Sequence, residues 1–217
     1  MFISRIELDP ANRATVKALS SPQIIHAAVQ RCFDCNPNGK GRNLWRLDAY
    51  QKKLYMLLVS SVCPDFAHLA TQFSPKDASG EHKDYAAFLS EIKTGQQFRF
   101  RFRGNPIYRK PRTERNQRGK ICPHVTIKHQ EDWLLKKSVD CGFRIAAEDG
   151  ENSLAVVDSG MLRFYRERNS PPVQIVFAVY EGVLDVVDCE LFVNCLTNGI
   201  GKAKAYGCGM MTVARVK

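Results

Sequence analysis

The chain has 217 residues, with 32 Lys and Arg against 22 Asp and Glu and a formal net charge of +10. This length suits two domains of about 100 residues, and a 44% hydrophobic content is enough for a packed core, which excludes a disordered chain and removes any need for a disulfide scaffold. The charge is concentrated: ten Lys or Arg and one acid, Glu114, lie in 96–128, so that segment holds nine of the ten net charges, the electrostatic footprint of a polyanion partner.

The opening MFISRIELDP alternates polar and apolar side chains, predicting a strand over 2–8. It has no apolar h-region, so no signal peptide is expected. Ser21-Pro22 marks a helix start, and the helix QIIHAAVQRCF runs to the breaker Asn36-Pro37-Asn38-Gly39. Residues 44–50 and 54–61 predict a hairpin, followed by a short helix over 65–69, a weak fourth strand at 71–73 and a polar linker over 77–83. The pattern then restarts. A strand over 98–103 leads into a basic loop, a helix over 130–139, strand material at 143–147, 162–168 and 173–187, a helix capped by Asp188 that ends at Gly199, and a closing strand at 208–216.

Each half approximates β-α-β-β-α-β, so the expected fold class is α+β with two tandem ferredoxin-like domains. The expected division is 1–76, a linker over 77–95, and 96–217. The halves share element order and no sequence identity. No stretch approaches the roughly 18 apolar residues of a membrane span. Eight cysteines (Cys32, Cys35, Cys63, Cys122, Cys141, Cys189, Cys195 and Cys208) sit mostly in apolar runs and read as small buried hydrophobes of a reducing, cytoplasmic compartment. Cys32-Phe-Asp-Cys35 and the pair His124 and His129 are far apart with no second CxxC, so neither a metal nor a cofactor is expected.

Within FRFRFR, residues two apart share a face. Phe98, Phe100 and Phe102 are assigned to the core, leaving Arg99, Arg101 and Arg103 together on the opposite side. The segment after it, carrying Arg109, Lys110, Arg112, Arg115, Arg118 and Lys120, has no apolar period and reads as a loop. Guanidinium forks match phosphate oxygens two at a time, so strand and loop together suit a sugar-phosphate backbone. GIGKAKAYGCG, Gly199 to Gly209, lacks both the Walker and the dinucleotide pattern. Its glycines and its Lys202 and Lys204 are expected to offer a phosphate nest, beside the plainer reading of a helix cap. Among five histidines, His26 stands out one turn into a Pro-initiated helix, whose amino end attracts phosphate.

FRFRGNPI followed by a basic stretch, the carboxy-terminal GIGKAKAYGCGMMTV, the opening strand with SPQIIHAAVQRCF, and YEGVLDVVD together resemble the CasE-type CRISPR-associated endoribonucleases of type I-E systems, in the RAMP superfamily. The resemblance spans essentially the whole chain. It implies two ferredoxin-like domains that recognise the CRISPR repeat RNA hairpin and cut the precursor at the stem base without a metal ion. The implied cut uses 2′-OH attack and leaves a 2′,3′-cyclic phosphate. It further implies a prokaryotic cytoplasmic protein that stays on the crRNA with other Cascade subunits. His26 falls where the family has its catalytic histidine, the implied general base or acid. Arg166 and Arg168, in FYRERNSPP, lie where members hold the stem. One departure is Gln23, where some members carry tyrosine; a glutamine cannot transfer a proton at a useful pKa. Two other functions compete: a binding-only hairpin protein, and a DNA-binding regulator, against which the absence of a helix-turn-helix pattern counts.

Overall fold

In the computed structural model, residues 1–33, 42–111, 119–148, 151–166 and 170–216 are described. The first half runs β1 (Phe2–Leu8), α1 (Arg13–Leu19), α2 (Pro22–Arg31), β2 (Leu44–Tyr50), β3 (Lys53–Ser60), α3 (Ala67–Phe73), β4 (Glu81–Asp84) and α4 (Tyr85–Ser90). Alternation in β1 and β3 sends Ile6, Leu8, Met56 and Leu58 to one face, where they pack with Ile25, Val29 and Leu69 from the helices. The sheet order is β2-β3-β1-β4, antiparallel throughout.

The second half runs β5 (Gln97–Gly104), β6 (Ile107–Arg109), β7 (Ile121–Pro123), α5 (Ile127–Asp140), β8 (Phe143–Ile145), β9 (Ala147–Glu148), β10 (Glu151–Asn152), β11 (Ala155–Phe164), β12 (Val173–Val186), α6 (Cys189–Asn198), a single 3-10 turn (Lys204–Tyr206) and β13 (Met211–Arg215). Its sheet is ordered β11-β12-β5-β13, with β8 also beside β12. Both halves therefore interleave their strands as ferredoxin-like units do, and the expected fold class holds. Phe98, Phe100 and Phe102 are buried against Trp133, Leu134 and Phe192 of α5 and α6, each stabilising the core by about 1.5–3 kcal/mol.

Several sequence expectations fail locally. Residues 71–73 end α3 instead of forming a strand: Leu69 and Phe73, four apart, share one buried helical face. The fourth strand is β4, inside the expected linker. All four of its residues are exposed, so it is held by backbone pairing to β1 and carries no apolar alternation to read. Helices α1 and α4, capped by Asn12 and Asp84, went unanticipated. The basic segment is not all loop, because β6 and β7 pair as a hairpin. Cys32, Cys141, Cys195 and Cys208 are buried as expected, whereas Cys63 is exposed and Cys122 and Cys189 are half-buried; Cys35 lies outside the described residues.

Candidate functional site

Helix α2 starts with Pro22 at its first turn and buries Pro22, Ile25, Ala28 and Val29. That fixes the helix roll and leaves His26 half-buried at the edge of a cleft of about 550 Å³, lined by His26, Gln30, Arg42, Asn43, Lys204 and Ala205. Burial pushes the imidazole pKa below its ordinary 6.5, because the charged form loses hydration. The Nδ1 atom is shielded and has no hydrogen-bond partner among the described residues, so Nε2 is the nitrogen available for proton transfer. A neutral imidazole that lines one cleft with two cations suits a base beside an anion site.

Lys204 comes from the glycine-rich stretch, and that stretch is held by the first half. Gly207 has φ +77°, and a Cβ there would lie 2.8 Å from the Trp45 ring. Gly199 has φ +73°, and its Cβ would lie 2.7 Å from the Leu44 side chain. Only glycine tolerates both demands. Trp45 Nε1 donates to the Ala205 carbonyl at 3.2 Å. Arg46, 1% exposed, donates to the carbonyls of Arg101 (2.6 Å) and Met210 (3.1 Å) and to Thr212 Oγ1 (2.7 Å) while paired with Asp48. The glycines therefore serve close docking of the loop against β2. Lys204 Nζ donates to the Asn198 carbonyl at 2.7 Å, and burial, then Arg42, pushes its pKa below the ordinary lysine value.

Tyr206, in the same loop, was not singled out from the sequence, nor were Arg42 and Asn43. The signal for Tyr206 was an aromatic set next to a glycine in a motif that must touch another element. Its ring centroid is 6.0 Å from that of His26. Its hydroxyl accepts from Arg166 Nε at 2.9 Å and donates to Gln23 Oε1 at 3.3 Å. Gln23 thus contributes to a hydrogen-bond chain joining both halves, with a phenol from the second half near the histidine.

The strand arginines are not an open row. Arg99 is exposed. Arg101 forms ion pairs with Glu181 and with Asp48, the latter at 3.4 Å. Arg103 lies 4.1 Å over the Phe177 ring, at an apolar cluster with Tyr206 and Cys208 that the glycine-rich loop covers. Arg109, Lys110 and Lys120 are exposed on the β6–β7 hairpin, and Lys202 is exposed on the loop. Arg112, Arg115, Arg118 and Arg168 lie outside the described residues. Among the described residues no group of three or more metal-type ligands occurs, and no helix is long and apolar enough to cross a membrane. Cys32 Sγ donates to the Ala28 carbonyl, while the His124 ring lies tilted beside those of Tyr108 and His129 on the second half.

The fold and cleft define a tandem ferredoxin-like protein with a histidine site between its halves. A family model described as CRISPR associated protein matches residues 1–215. The chain belongs to that family. It is 29% identical over 228 residues to the CRISPR-associated endoribonuclease Cse3 of Thermus thermophilus, covering 99% of this chain and all of that protein. It is 28% identical over 198 residues to the CRISPR system Cascade subunit CasE of Escherichia coli K12, covering 88% and 90%. A solved structure of the CRISPR endoribonuclease Cse3 bound to a 19-nucleotide RNA matches with a TM-score of 0.82 and 27% identity, over 99% of this chain and 100% of that one.

Proposed function

We propose that this chain is an endoribonuclease that binds the hairpin of a CRISPR repeat and cuts the precursor RNA at the base of the stem, then stays on the product as a Cascade subunit in a prokaryotic cytoplasm. The observation that carries this is the half-buried His26, its pKa lowered, lining one cleft with Lys204 and Arg42. The named relatives support the RNA substrate and the Cascade association.

The chemistry follows from the groups present. The ribose 2′-OH beside the scissile phosphate attacks phosphorus and the P–O5′ bond breaks, giving a 2′,3′-cyclic phosphate and a 5′-OH. His26 Nε2 takes the 2′ proton as general base, and the leaving 5′ oxygen takes a proton from solvent water. Lys204 and Arg42 offset the charge that builds on the phosphorane oxygens. The exposed Arg99, Arg109, Lys110, Lys120 and Lys202, with Arg166, hold the RNA backbone. Arg101 and Arg103 act within the protein: Arg101 ties the second sheet to Asp48 of the first half, and Arg103 packs over Phe177 within the second. The division into two domains is part of the same reading: the base comes from one half and the lysine from the other.

Substituting His26→Ala is expected to lower single-turnover cleavage by about 10²- to 10⁴-fold while hairpin affinity persists. Unchanged cleavage by that variant overturns the assignment.

A further inference from the structure

We propose that a second cavity, between the β6–β7 hairpin and the glycine-rich loop, receives one unpaired nucleobase from a nucleotide flanking the cut. This rests on the RNA-cleavage reading and adds a subsite to it. The cavity measures about 480 Å³, inside the roughly 300–1,000 Å³ range of small-ligand clefts. Ile107, Ile121 and Pro123 wall it from the hairpin, Met161 and Val173 from β11 and β12, while Arg166 and Lys202 supply cations.

Two of these apolar side chains face solvent in the free protein, Ile121 at 50% and Met161 at 60% exposure. A track for phosphate alone has no use for such a surface. An apolar wall with cations beside it fits the flat face of a base whose phosphate stays at the rim.

Position ties this cavity to the reaction. Tyr206 lines it and stands 6.0 Å, ring to ring, from His26. Ala203, in the left-handed region at φ 59°, bends the loop so that Lys202 lines this cavity and Lys204 the His26 cleft. The two cavities thus adjoin across the Ala203–Tyr206 turn, and one strand of RNA crosses both. A base held in a stem is stacked and paired, so only a nucleotide outside the stem enters. The subsite therefore selects RNA whose pairing ends at the scissile phosphate.

The test uses a type I-E repeat stem-loop RNA made uncleavable by a 2′-deoxyribose at the cut, with 2-aminopurine at each flanking position in turn. Fluorescence and anisotropy are read with the wild-type chain and with Ile121→Ser and Met161→Ser, two exposed positions at which a serine leaves the core untouched; folding of both variants is checked by circular dichroism. One flanking position is expected to change fluorescence on binding the wild type and not the variants. An abasic nucleotide there is expected to weaken wild-type binding about tenfold and to leave the variants nearly unaffected. Equal fluorescence changes in wild type and variants at every flanking position, or an equal abasic penalty, overturn the subsite while the RNA reading stands. Loss of wild-type hairpin binding in anisotropy overturns both.

Discussion

His26 owes its lowered pKa to partial burial at the edge of the cleft. Burial lowers its pKa below 6.5, so between that lowered value and 6.5 the folded chain binds fewer protons than the unfolded one. Stability accordingly falls as pH drops through that window. The same shift keeps the base neutral at pH 7. The pH profile of kcat/KM is expected to have an acid limb below 6.5, because it reports the free enzyme's base; a limb above 7 in that same profile would contradict the general-base role. Tyr206 is one of the residues that the sequence did not reveal. Pairwise motifs do not reveal it, since its hydroxyl meets Gln23 across 183 positions of chain separation.

Two elements can be tested separately. Strand β2 holds the second half through Arg46, and Arg46→Met removes the guanidinium donor from the carbonyls of Arg101 and Met210. Breaking a buried, paired guanidinium is expected to cost about 3 kcal/mol in urea unfolding and to slow cleavage more than it weakens binding. Arg46→Lys does not restore the planar fork and is expected to rescue little. The β6–β7 hairpin acts differently. Changing Arg109, Lys110 and Lys120 together to Gln is expected to lessen the slope of log affinity against log salt by roughly 0.7–0.9 for each phosphate no longer neutralised, with the fold intact; an unchanged slope removes the hairpin from the surface that grips the RNA backbone. These elements also mark the limits of legibility. Strand β5 was readable because three buried Phe alternate with Arg. The four exposed residues of β4 and the three-residue strands of the basic hairpin were not, because tertiary pairing without local apolar period holds them.

At the scale of the molecule, the site is made by packing two similar units together. The composition and the arginine-rich strand pointed to a polyanion, and the helix that carries His26 was legible from its Ser-Pro start. The glycine-rich loop was legible as special but not for its reason, since only the folded chain brings Trp45 and Leu44 against it. The charge row was misleading for a related cause: Glu181 and Asp48, distant in sequence, pair with Arg101. The most direct measurement is the end chemistry of the cut. A repeat stem-loop is incubated with the purified chain in EDTA, and both fragments are mapped. The predicted result is one cut at the stem base, with a 2′,3′-cyclic phosphate on one fragment and a 5′-OH on the other, abolished by a 2′-deoxyribose at the cut and slowed about 10²- to 10⁴-fold by His26→Ala. Fragments ending in 3′-OH and 5′-phosphate, or cleavage that requires added divalent metal, would contradict it.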